Sequence, residues 1–277
     1  MIHLIVDSTA ALPNDFLEKH KNVHVVYLTL EVEGQYIPDK DYSIHEVIAY
    51  CEKEKKNIPT SQPSTGDYLS LFREIPEEDS IIVLCLTSGV SGTYNGAVLA
   101  AKQSKRRDIC VIDSRTTAIG MMQLVQDAVE LIDEKKSFEE VSEQLKKNAF
   151  RMRSTFTIAT LDYLRRGGRV GKAAGLIGSI LKIRPVIYLN KDNEVDVLAK
   201  VRTEKKAVAA MLDFLHQNSP CKRIGIVHLE NEEGAKALQA RVQDEYPDID
   251  VTLTTGTPVL TCYLGPGLLG IIFESAE

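Results

Sequence analysis

"SIIVLCLTSGVSGTYNGAVLAAKQSK", residues 80–105, decides how this chain is read. Its apolar opening, residues 80–86, is short and rich in β-branched residues, as a buried strand is. A loop of hydroxyls and glycines follows: Thr87, Ser88, Gly89, Ser91, Gly92 and Thr93. A helical pattern then runs over 93–105. Strand, polar loop and helix form the unit from which a parallel sheet is wound.

Working outward, the same alternation fills the first half. "HLIV" (3–6) reads as a strand before the helix start "STAALPNDFLEKH". "VHVVYLTLEV" (23–32) reads as the next strand, with a helix near "SIHEVIAYCEKEK". "DICVID" (108–113) precedes a long helical stretch over about 117–136. The helix 137–150 opens on Ser137 three residues before Glu140, a capping-box spacing.

Beyond about residue 150 the pattern changes. "STFTIAT" (154–160) and "RPVIYLN" (184–190) read as strands, and "NEVDVLAKVR" (193–202) pairs antiparallel with the latter across the polar turn "NKDN". A helix (203–217), the strand "RIGIVHL", a helix (231–244) and the strand "IDVTLTT" follow. "TCYLGPGLLG" (261–270) reads as a Gly-Pro-Gly turn between two strand-like pieces. The expected class is α/β with two domains. Residues 1–150 carry a mostly parallel, doubly wound sheet, and residues 151–277 a mixed sheet. No Pro/Gly/Ser-rich linker separates them, so a large shared interface is expected.

Composition excludes several functions. The net charge of −6 offers no general attraction to nucleic acid. No apolar run approaches the roughly 18–20 residues of a membrane-spanning helix. The start, "MIHLIVDSTAALP", lacks a basic region and carries Asp7, so it does not read as a signal peptide. The cysteines (51, 85, 110, 221, 262) are odd in number and lack a C-x-x-C pair, which reads as reduced, mostly buried thiols in a cytoplasmic protein. The histidines show no metal-ligand spacing, and no cofactor motif is present.

In a parallel sheet the carboxyl ends of the strands share one edge, where ligands bind. Asp7, Ser8, Ser91, Asp113, Ser114 and His228 are candidates to converge there, or simply to cap the helices that follow. The 87–93 loop carries more hydroxyls than one cap needs. Its glycines let backbone approach a ligand, and free N–H groups at a helix start attract an anion. "GVSGT" (89–93) also nearly matches the nucleophile elbow G-x-S-x-G, with Thr93 in place of the last glycine. A serine hydrolase or esterase using Ser91, with Asp113 and His228, is therefore the alternative reading. A phosphate- or nucleotide-binding module is a third, although no P-loop occurs.

"LDYLRRGGRVGKAAGLIGSILKIRP" (161–185) is the second dense region. Arg165, Arg166, Arg169 and Lys172 cluster there. They serve either as charges in the last turn of a helix ending at Gly167-Gly168 or as a docking patch. Arg202 is grouped with them as a docking candidate. A helix is expected next, with Gly171, Gly175 and Gly178 on one face, admitting either a packed helix or a thin apolar ligand.

Together these stretches resemble the DegV family. The residues that carry the likeness are "VDSTAALP", "TSQPSTGDY", "SGVSGTYNGA", "IDSRTT", the 161–185 segment and "GPGLLG", in order and over almost the whole chain. The resemblance implies a long-chain fatty acid in a tunnel between two α/β domains. It implies a binding subunit, not an enzyme. Such a subunit presents the lipid to the ATP-binding subunit of a fatty acid kinase, carries the acyl-phosphate, and makes at most transient membrane contact. It implies carboxylate contacts from Thr60, Ser91 and Gly92, with Gly171, Gly175 and Gly178 along the tunnel. Members commonly have His two residues before the GPG turn. Tyr263 stands there in this chain, a hydrogen-bond donor without positive charge.

Overall fold

The computed structural model describes residues 1–176 and 183–276. Its first half runs β1 (Ile2–Asp7), α1 (Asn14–Lys19), β2 (Val23–Val26), β3 (Thr29–Val32), β4 (Gln35–Pro38), α2 (Ile44–Glu54), β5 (Thr60–Ser61), α3 (Thr65–Glu74), β6 (Ser80–Cys85), α4 (Thr93–Ser104), β7 (Ile109–Asp113), α5 (Ile119–Asp133) and α6 (Phe138–Arg151). The second runs β8 (Met152–Thr157), α7 (Asp162–Arg166), β9 (Arg184–Leu189), β10 (Val195–Val201), α8 (Glu204–Gln217), β11 (Cys221–Leu229), α9 (Glu232–Glu245), β12 (Val251–Thr255), α10 (Pro258–Leu264) and β13 (Leu268–Ser275).

The expected class holds. The chain forms a parallel sheet in the order β2-β1-β6-β7, a mixed sheet in the order β10-β9-β8-β13-β11-β12 and a small sheet, β4-β3-β5. The first and third use only residues before α6 ends, and the mixed sheet only residues after it. β9 and β10 pair antiparallel as expected. In the parallel sheet, β1 connects outward to β2 on one side, and β6 connects to β7 on the other. The carboxyl ends of β1 and β6 are therefore the switch point where a crevice opens.

α5 seals the two halves. It buries Met121, Leu124, Val125 and Ala128, and it packs against β1 as well as β11 and β13. Gly225 of β11 lies under Ile119, where any Cβ would collide with it. One buried cluster runs from Leu4 and Ile82 to Ile187 and Ile272. Burial on this scale, at about 25 cal/mol per Å² of apolar surface, joins the halves without a solvated linker. α6 passes into β8 with no residue between them. Its predicted capping box at Ser137 and Glu140 is present.

Three local expectations are corrected, and one helix appears that the sequence pattern did not declare. "VHVVYLTLEV" is two strands in two sheets. Leu28 N–H donates to Ser8 Oγ (3.1 Å) and Leu28 O accepts from Asp39 N–H (2.9 Å), which takes that residue out of any ladder. Residues 65–74 form α3, capped by Ser64 and Asp67, with Tyr68 and Phe72 buried one turn apart. The piece before the Gly-Pro-Gly turn is helix α10. Pro258 starts it, where a missing N–H costs nothing, and Gly265 at φ +68 ends it. The described part of the expected glycine helix, Gly171–Leu176, is 3-10. Gly171 sits at φ +51 and so cannot join an α-helical stripe.

Candidate functional site

Asp7 ends β1 beside the crevice. It is fully buried, and its carboxylate accepts from Thr9 N–H (3.1 Å), Thr9 Oγ1 (2.5 Å) and Leu86 N–H (2.6 Å). It thus pins the loop after β1 to the loop after β6. Burial pushes its pKa up to about 6, against the pull of those donors.

Above it, the loop from β6 to α4 turns so that Ser91 Oγ lies 2.9 Å from Thr93 Oγ1 and accepts from Thr93 N–H (3.3 Å). Gly92 precedes the first turn of α4. A Cβ on Gly92 or Gly96 would strike the amide of Gln62, whose exposed side chain would have to swing aside. Gln62 is the residue that sequence reasoning passed over. Its only signal is its place inside "TSQPS".

From the other side, β5 pairs with β3 and presents Thr60, while α10 presents Tyr263. Their hydroxyls are 2.5 Å apart. The Arg169 guanidinium lies 4.8 Å above the Tyr263 ring centre, and its Nε donates to Val90 O (3.2 Å). A cation over an aromatic face gains about 0.5–2 kcal/mol, so this stacking holds Arg169 at the mouth.

Thr60, Ser91, Gly92, Tyr263 and Arg169 all line one cavity of about 320 Å³. Its remaining wall is mainly apolar: Leu28, Leu86, Phe156, Leu164, Val195 and Leu260. A smaller apolar cavity of about 40 Å³ shares Phe156, Leu260 and Leu264 with it and reaches Ile272 of β13. The site is a polar cluster at a helix start, joined to a greasy interior drawn from both halves.

The other expected residues lie elsewhere. Gly171 lines a neighbouring cavity of about 290 Å³ with Lys172 and Glu194. A Cβ on Gly171 would collide with Val195 O, whereas a Cβ on Gly175 would meet nothing within 4 Å among the described residues, and Gly178 lies outside them. Arg165 is exposed and pairs with Asp162 (3.1 Å), and exposed Arg166 lies over the Tyr163 ring (6.0 Å). Exposed Arg202 follows the last residue of β10, while Lys172 pairs with Glu194 just before its first. A strand of that length separates them by roughly 20 Å.

The hydrolase constellation is not assembled. Ser91 Oγ bonds Thr93. The Asp113 carboxylate takes Ser88, Arg115 N–H and Asn193. The ring of His228 reaches Asn231 N–H and Thr255 (both 3.4 Å). No hydrogen bond links the three among the described residues.

The family model described as "Uncharacterised protein, DegV family" matches residues 1–276. A DegV domain-containing protein of Staphylococcus aureus is 30% identical over 275 residues, covering 97% of each chain. Among solved structures, a fatty-acid-binding DegV family protein of Thermus thermophilus superposes at a TM-score of 0.89, with 30% identity and 99% of each chain covered. The Streptococcus pneumoniae fatty acid kinase B3 protein, loaded with linoleic acid, superposes at 0.86 with 26% identity and 99% of each covered. No helix among the described residues is long and apolar enough to cross a membrane.

Proposed function

This chain belongs to the DegV family, and on that footing we propose that it binds one long-chain fatty acid, tail inward. The carboxylate would be held by Thr60, Tyr263, Ser91 and the backbone N–H of Gly92. The observation that carries this reading is the convergence of three hydroxyls and a helix start at one end of an apolar cavity. Two hydroxyls bonded to each other consume one hydrogen and leave one to donate. The Thr60–Tyr263 pair and the Ser91–Thr93 pair therefore each have one donor for an anion.

The magnitudes divide the labour. Burying about 14 methylenes is worth on the order of 11 kcal/mol gross. A helix start adds only about 0.3–2 kcal/mol to an anion. The cavity supplies affinity, and the hydroxyl cluster decides which end stays at the mouth. The carboxylate is then positioned for phosphorylation by a separate ATP-dependent kinase subunit, with this chain carrying substrate or acyl-phosphate. Arg165, Arg166 and Arg202 are the proposed docking contacts, while Arg169 adds positive charge beside Tyr263.

The test is mass spectrometry of small molecules released by denaturing the purified protein, repeated after incubation with long-chain fatty acids. About one equivalent of fatty acid is expected. Protein that stays empty under both conditions, or Ser91 labelled by a fluorophosphonate, would sink the carrier reading.

A further inference from the structure

The Ser91 loop does not stand on its own half of the molecule alone. Asp113 ends β7, and its carboxylate accepts from Ser88 N–H (3.2 Å), Ser88 Oγ (2.5 Å) and Arg115 N–H (2.9 Å). The same carboxylate accepts from Asn193 Nδ2 (3.0 Å), which belongs to the turn between β9 and β10 on the other sheet. Asn193 is 6% exposed and sits at φ +64, a conformation asparagine tolerates better than most residues. Its backbone fits so closely against Gly89 that a Cβ there would overlap Asn193 O. The turn is built to present this one amide. Asn190 Oδ1 accepts from Asp192 N–H (2.9 Å) and Glu194 N–H (3.0 Å), and Arg115 donates to Lys191 O.

From this geometry we infer that Asp113 and Asn193 are positioning residues, forming a latch by which the β9–β10 turn holds the 88–92 loop in the form that presents Ser91 and Gly92 to the cavity. The latch spans the two sheets. Val195, two residues beyond Asn193, lines the cavity, as do Val90 and Ser91 on the loop. One contact therefore sets the loop and the opposite wall together. The order of events is mechanical: releasing Asn193 takes its backbone off Gly89 and its amide off the Asp113 carboxylate that holds Ser88, so the loop carrying Ser91 loosens at both points. The effect on lipid rests on the proposed function; the hold on the loop does not.

Asn193→Gly keeps the positive φ and removes the amide. Asn193→Asp sets a carboxylate against Asp113. Asp113→Asn combined with Asn193→Asp reverses the polarity, since an amide nitrogen at 113 can donate to the new carboxylate and to Ser88 Oγ while its oxygen still accepts from the N–H groups of Ser88 and Arg115. Hydrogen exchange is followed on the intact protein in peptides covering 86–93, with β11 as the control. Exchange in 86–93 is expected to rise roughly ten-fold or more in Asn193→Gly, the scale of one lost hydrogen bond to a charged group. It should rise further in Asn193→Asp and return toward wild type in the polarity-reversed pair, with β11 unchanged. The release rate of a fluorescent long-chain fatty acid, cis-parinaric acid, is expected to follow the same order. Unchanged exchange in 86–93, or equal rises in 86–93 and β11, would overturn the latch. Exchange in the expected order with wild type that never binds the probe would support the latch and defeat the fatty-acid reading. Exchange in the expected order with identical release rates would overturn the latch's role in lipid binding.

Discussion

Thr60 and Tyr263, 203 residues apart in sequence, share a hydrogen bond of 2.5 Å at the mouth of the cavity. One comes from a two-residue strand of the small sheet and the other from α10, the helix before the last strand. Tyr263→Phe removes one hydroxyl and leaves the ring beneath Arg169. Affinity for a long-chain fatty acid is expected to fall about 2- to 10-fold, the value of one hydrogen bond, with little change in melting temperature. Competition against a fluorescent fatty acid checks it. Unchanged affinity would mean that Tyr263 does not touch the carboxylate.

Ser91→Ala combined with Thr60→Ala removes one hydroxyl from each pair, leaving Thr93 and Tyr263 to offer their hydrogens from displaced positions. Neither residue is fully buried, so the fold should survive. The double variant is expected to lose roughly ten-fold or more in affinity, and phosphorylation by a fatty acid kinase should fall with it. Undiminished retention and phosphorylation would remove both residues from the anion site.

Leu260 lines both the main cavity and its apolar extension. Leu260→Trp fills that junction. The bound lipid recovered from this variant should be shorter by a few methylenes, each worth about 0.8 kcal/mol. An unaltered chain-length profile would show that the tail runs elsewhere.

Asp39 is 2% exposed, and one of its carboxylate oxygens is buried without a partner among the described residues. Burial raises its pKa from 3.8 to about 6, partly opposed by a hydrogen bond from Ser8. The folded value lies above the unfolded one, so the folded chain holds more protons between about pH 4 and pH 6. This group's contribution therefore falls as pH rises through that window and levels off above it. Asp39→Asn abolishes the titration. Its stability relative to wild type should improve by about 1–3 kcal/mol between roughly pH 4 and pH 7, measured by urea unfolding. A relative stability that does not change with pH would refute the buried charge.

Gly265 ends α10 at φ +68, with the Tyr163 ring where a side chain would point. Gly265→Ala combines left-handed strain with overpacking and should cost about 2–4 kcal/mol. For a chain of this size, melting would drop by about 4 °C or more. A melting point within 1 °C or so of wild type would show that α10 can end another way.

Much of this was legible in the chain. Strands such as β1, β6 and β11 are apolar enough to declare themselves, and Ser137 with Glu140 announces α6, because these signals are local. The hydroxyl-rich loop at Ser91 was legible too, since one cap does not need so many donors. Other features were not. The break at Leu28 depends on Ser8 and Asp39 taking its backbone groups. α10 hides behind Val259 and Thr261, whose β-branching favours strands, and only Pro258 and Gly265 argue otherwise.

The sequence by itself determined the alternation of strands and helices, the class of fold and the hydroxyl-rich loop that leads into α4. Those follow from periodicity, caps and glycine, which act over a few residues. Only the tertiary structure decided that Tyr263 meets Thr60, that Arg169 turns into the cavity mouth while Arg165 and Arg166 stay outside, and that Asn193 reaches Asp113. Such pairings are fixed when α5 packs between the two sheets. Their positions then follow from which surfaces exclude water together, and no local pattern encodes that.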